Sequence, residues 1–171
     1  KTLAERGCEV GQVQVGMMLE VPAAAVSIDS MLDLVDFVSI GSNDLVQYLM
    51  AADRDNPKVS HLCQPLAPPV LIVLKRVIES CNAARVPVTV CGEMAGNPKA
   101  FLLLLGMGLR QFSMSPAFVP SIKRLASKVS VAEAEAIVTA VMKFKTTAQV
   151  NKYMSRQVAI LAPSLAILDS N

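Results

Sequence analysis

At 171 residues, 53% hydrophobic but only 4% aromatic, the chain can fill one core from Leu, Val, Ala, Ile and nine Met rather than from rings. Its 16 basic and 14 acidic residues leave a net charge of +2, and no basic block or aromatic-interleaved patch points to nucleic acid. The longest apolar runs, near 68–74 and 100–109, are far shorter than the roughly 20 residues that cross a bilayer, and no stretch reads as a secretion signal.

Four cysteines, Cys8, Cys63, Cys81 and Cys91, have neither CxxC spacing nor a small secreted framework, so reduced thiols and a cytoplasmic location are expected. The chain starts at Lys1 rather than at a methionine, which raises the expectation of a piece of something longer.

In chain order, 13–19 (VQVGMML) reads as a first apolar strand ending at Glu20, with Pro22 opening the next element. Residues 23–35 have helix-like spacing. A second buried-type strand, 37–40, breaks at Gly41-Ser42. Asn43 and Asp44 follow where a helix should begin, and Arg54 closes that stretch. A polar, proline-containing loop leads to the clearest helix, 70–84, whose apolar residues recur at three- and four-residue steps. A third strand, 88–90, ends at Cys91, and 92–96 reads as a loop. Asn97-Pro98 then pairs a cap residue with proline at the first helical position. That helix runs to Leu105. A short fourth strand is expected at 112–115, a helix at 120–129, another opened by a Ser130/Glu133 capping box, and a last one over 147–161 that stops at Pro163 before a loose tail.

Short apolar strands separated by helices predict an α/β fold with parallel pairing. About four βα units are present, whereas a closed (β/α)8 barrel needs twice that number and about 250 residues. The expectation is half of a TIM-type barrel over about 12–129, further helices over about 130–162 and a tail at 163–171. Two raw sheet edges would need a cover.

Three strands end on residues able to do chemistry. Glu20 and Asp44 would converge at one mouth, where two carboxylates suit a hard divalent cation; two separate surface or capping acids would read the same way in sequence. Arg54 could grip a phosphate or form a surface ion pair. Cys91 could be a nucleophile or proton donor, or a small buried hydrophobe. His61, the only histidine, lies in a polar loop and carries no expected role.

Four stretches, MLEVPAAA at 18–25, IGSNDLVQY at 40–48, CGEMAG at 91–96 and LLLLGMGLRQFSMS at 102–115, appear in order. Over roughly 12–160 the chain resembles the phosphoenolpyruvate-binding domain of the phosphoenolpyruvate–protein phosphotransferases, Enzyme I of the bacterial phosphotransferase system, with wording closer to the nitrogen-regulatory paralogue. Pyruvate phosphate dikinase and phosphoenolpyruvate synthase share the barrel and an NDL-type motif.

The resemblance implies the carboxyl-terminal half of a (β/α)8 barrel, with Glu20 and Asp44 as Mg²⁺ ligands. It implies Asn43, Asp44 and Arg54 at the substrate and Cys91 as the acid that protonates the enolate of pyruvate. It also implies a homodimer that passes the phosphoryl group to a histidine in another domain and on to a phosphocarrier protein. Neither the family's acceptor histidine nor the phosphate-binding arginines of the first half-barrel have a counterpart here, so the fragment alone is expected to be inactive. Asn97 stands where the family often has Asp. Two other readings stand beside this one: a non-catalytic dimerisation or interaction module, and another Mg²⁺-dependent enzyme of pyruvate or phosphoenolpyruvate, such as a synthase, dikinase or lyase.

Overall fold

The computed structural model describes residues 2–9 and 11–163. Four strands form one parallel sheet in the order β1-β2-β3-β4: β1 (Gly16–Leu19), β2 (Phe37–Gly41), β3 (Val88–Cys91) and β4 (Gln111–Ser113). Each strand neighbours the next in sequence and the order never reverses, as in half of a TIM-like barrel; β1 and β4 are left as edges. The helices are α1 (Pro22–Val26), α2 (Ser42–Met50), α3 (Pro68–Ala83), α4 (Glu93–Gly96), α5 (Pro98–Gly106), α6 (Val119–Ala126), α7 (Val131–Val141) and α8 (Thr147–Leu161).

Side chains alternate across a strand, so the register divides the sheet into two faces. Leu19, Ile40 and Val90 lie side by side and are fully buried, and Val38 and Val88 extend the same face into the core. The other face carries Met18, Phe37, Ser39, Thr89, Cys91, Gln111 and Ser113, none of them buried. Met18 is 54% exposed in mid-strand. One face of the sheet is thus sealed and the other is open.

Beneath the sealed face α5 is apolar nearly all round, with Phe101 to Leu104 buried. It stacks Phe101 on Phe112 of β4 at 5.0 Å between ring centres, and its other side packs on α7. Both ends of the expected cap chemistry are present. Asn97 Oδ1 accepts from the backbone N–H groups of Lys99 and Ala100. Ser130 and Glu133 form a reciprocal capping box, and Thr146 with Gln149 forms a second.

Several sequence expectations are corrected. The first strand is four residues long, not seven. Its predecessor Val15 instead bonds Asp36 through both its N–H and its C=O. The helix expected over 23–35 is only α1, followed by two 3₁₀ turns, Ile28–Ser30 and Leu32–Leu34. Ser27 Oγ donates back to the Ala23 carbonyl and Ser30 Oγ to that of Ser27, the local competition that ends helices. The stretch after Cys91 is a helical turn rather than a loop, anchored by buried Met94 and Ala95. The fourth strand lies at Gln111–Ser113 rather than 112–115, and the helix expected over 120–129 ends at Ala126. The helix before Arg54 ends at Met50, so Arg54 sits in the following turn. The tail expected to be loose falls, except for Pro163, outside the described residues.

Candidate functional site at the strand ends

All four strands run parallel, so Glu20, Gly41 to Asp44, Cys91 and Ser113 gather at the same, carboxyl-terminal edge of the sheet. Barrel enzymes place their chemistry at this edge.

The β2–α2 junction is tight. Gly41 is the residue before the helix, and no side chain caps α2, so neither Asn43 nor Asp44 is spent as a helix cap. A Cβ on Gly41 would fall 2.5 Å from Glu20 Oε1; the Glu20 carboxylate therefore lies against Gly41, in space that only glycine leaves. Asp44 sits in the first turn of α2. After α2 the chain reverses through Ala51 in the left-handed region, and the backbone N–H of Arg54 donates to Gln47 Oε1 at 3.1 Å. That turn carries the Arg54 guanidinium back to Asp44, 3.9 Å away, with 41% and 37% of the two side chains exposed. At that exposure the pair contributes little to stability, which leaves both groups available to a ligand.

The β3 end is clamped to the β2 end by two side chains. Ser42, only 2% exposed, donates its hydroxyl to the Cys91 carbonyl at 2.7 Å. Asn43 Oδ1 accepts from the backbone N–H of Glu93 at 3.3 Å, which leaves the Asn43 amide N–H groups for another partner. Gly92 between them has φ +102, and a Cβ there would meet Ser42 Oγ at 2.7 Å and Asn43 Oδ1 at 2.9 Å. Cys91 itself points to the open face. Its sulfur is 3.7 Å from the Ser39 hydroxyl, 3.5 Å from the Ile40 carbonyl oxygen and 4.0 Å from the Met18 sulfur.

Two cavities flank this clamp. One of about 110 Å³ is lined by Ser42, Asn43, Val46, Arg54, Cys63, Pro65, Glu93 and Met94. The other, about 360 Å³, is lined by Asn43, Gly92, Glu93 and the β4 end from Ser113 to Ser115, with Phe118. Asn43 and Arg54 therefore share a cavity and Asp44 pairs with Arg54, whereas Glu20, after β1, and Cys91, ending β3, line neither cavity. His61 is exposed in a 3₁₀ turn and lines neither cavity. Among the described residues no group of three or more His, Cys, Asp or Glu could hold a metal, so a cation here would rely on the two carboxylates Glu20 and Asp44 and on the ligand's own oxygens. Sequence reasoning missed Ser39, Ser42 and Glu93 and left Cys63 without a role, although it donates to the Ala52 carbonyl at 2.9 Å on the wall of the Arg54 cavity.

The family described as PEP-utilising enzyme, PEP-binding domain, matches residues 1–131, and the chain belongs to it. It is also similar to proteins named phosphoenolpyruvate-protein phosphotransferase. That of Haemophilus influenzae is 44% identical over 140 residues, covering 82% of this chain and 24% of the relative. That of Cupriavidus necator is 52% identical over 112 residues, 66% and 19%. That of Bacillus subtilis is 45% identical over 138 residues, 81% and 24%. The chain spans about a fifth to a quarter of the length of these relatives. No helix among the described residues is long and apolar enough to cross a membrane.

Proposed function

We propose that the chain supplies the metal-holding and proton-donating half of a phosphoenolpyruvate site in a phosphoenolpyruvate–protein phosphotransferase. The observation that supports this most is the clamp at the β2 and β3 ends, which fixes Asn43 and Cys91 at one edge of a sheet whose inner face is open, with Arg54 brought to the Asn43 cavity by the turn after α2. In this reading 12–129 is half of a (β/α)8 barrel, 130–162 adds helices outside it, and a complementary half-barrel closes over the open face.

Glu20 and Asp44 would hold a magnesium ion, which when bound supplies positive charge for the substrate oxygens. Arg54 faces the phosphoryl group, where a fixed guanidinium favours charge spread over its oxygens. The Asn43 amide donates to the substrate while its oxygen stays on Glu93. Cys91 gives its proton to the enolate carbon from the open face, and the resulting methyl group commits the substrate to pyruvate. The phosphoryl group goes to a histidine in another domain and from there to a phosphocarrier protein. In the cytoplasm the parent protein works as a homodimer.

Grafting 12–162 into the matching segment of the Haemophilus influenzae relative tests the proposal. The graft is expected to transfer phosphate from phosphoenolpyruvate to its histidine, and Cys91→Ala within it to lower turnover at least 100-fold, in line with loss of a positioned general acid. A folded graft with no transfer, or a Cys91→Ala graft as fast as its parent, would overturn the proposal. The isolated chain is expected to form no acid-labile phosphohistidine.

A further inference from the structure

Resting on the proton-donor role of Cys91, we infer that Ser39 is a positioning residue for that thiol: its hydroxyl donates to the sulfur, fixing it on the open sheet face and bearing part of the charge left there when the proton departs. The register carries the inference. Gly41 pairs with Cys91 and Ser39 with Thr89, so Ser39 precedes the thiol on the same inward face of the adjoining strand. Its oxygen is 3.7 Å from the sulfur. The other two polar neighbours, the Ile40 carbonyl at 3.5 Å and the Met18 thioether at 4.0 Å, can only accept. Ser39 is therefore the one side-chain donor that the described structure sets against the Cys91 sulfur, since Ser42 donates to the carbonyl of that residue.

The chemistry requires such a donor. As the Cys91 S–H bond breaks, a C–H bond forms at the enolate carbon and the S–H electron pair remains on sulfur. A thiol held only by acceptors loses its partner at that moment, because a thiolate has no proton to give them. The Ser39 O–H bond to sulfur instead strengthens as charge arrives, since hydrogen bonds to charged acceptors are the stronger kind. Solvent then returns the proton. The carboxylates around the same mouth, Glu20 after β1, Asp44 in α2 and Glu93 in α4, oppose the thiolate and are untouched by changes at position 39.

Iodoacetamide alkylation of Cys91 in the full chain, followed by peptide mass spectrometry from pH 6 to 11, reads this bond directly. Exposed Cys8 serves as the internal reference and fully buried Cys81 as the reporter of a folded chain. Ser39→Ala is expected to slow Cys91 alkylation relative to Cys8 about threefold, since the thiolate loses its one side-chain hydrogen-bond donor. The loss is no larger because a more basic thiolate is also the better nucleophile. Ser39→Thr, which keeps the hydroxyl, is expected to restore the profile. Thr89→Ala, one strand over with its hydroxyl on the Gln111 carbonyl, is expected to leave it unchanged. A Ser39→Ala profile that superimposes on the wild type, or a Thr89→Ala slowing as large, would overturn the inference. Neither result bears on Mg²⁺ or substrate binding, so the inference and the proposed function fail separately.

Discussion

Two cysteines 10 residues apart in sequence show how placement decides a side chain's chemistry. Cys81 is fully buried in α3, and desolvation, with Asp29 adding to it, pushes its thiol from the ordinary 9.0 to about 11. The folded state therefore holds a proton that the unfolded chain releases first, and stability falls between about pH 9 and 11, at up to roughly 1.4 kcal/mol per pH unit. Urea melts across that range should show a shallower decline in Cys81→Val than in the wild type; parallel declines would contradict the assignment. Cys91, by contrast, stands at a strand end beside a donor and two acceptors. Its candidacy was legible in sequence because a strand followed by glycine can be read locally. Ser39, Ser42 and Cys63 were not, because their importance comes from register across two strands and from a turn that folds back over 11 residues.

At the scale of elements, what a few neighbouring residues decide was readable in advance. Asn97-Pro98 and Ser130/Glu133 start helices as expected, since a cap needs only three residues and their own backbone. Asn97→Ala should cost about 1 kcal/mol by chemical denaturation, with α5 as the element loosened. Glu133 is held below the usual carboxylate range by bonds from Ser130, so its contribution is present above the unfolded value and lost as pH falls through the lowered one. Ser130→Ala should accordingly flatten the acid limb of the stability curve, checked by thermal melts between pH 3 and 6. Spacing alone misread 23–35, where apolar residues at helical intervals are interrupted by serines that bond their own backbone. It also misread 92–96, where burial of Met94 and Ala95 outweighs two glycines.

The whole molecule is defined by an asymmetry that no single element shows. Among the described residues a four-stranded parallel sheet is sealed on one face and open on the other, with two unpaired edges. The strand count and the helices between strands anticipated an α/β fold with a four-stranded parallel sheet; the open face and the clamp across β2 and β3 needed three-dimensional register. Closure of this face by a second half-barrel predicts opposite responses to one substitution. Met18→Lys should change the stability of the isolated chain by no more than about 0.5 kcal/mol, as at an exposed position. In the graft, where Met18 would become interior, the same change should cost about 3 kcal/mol or more. Equal effects in the two contexts would argue against closure.

In the proposed function Glu20 and Asp44 hold Mg²⁺ against an enolate-like ligand at the strand ends. Calorimetric titration of Mg²⁺ with oxalate, a planar mimic of enolpyruvate, tests it most directly, in the wild-type chain and in Asp44→Ala. Binding is expected to require Mg²⁺ and to weaken at least tenfold in Asp44→Ala. Binding that is unchanged by the substitution, or that needs no metal, would contradict it.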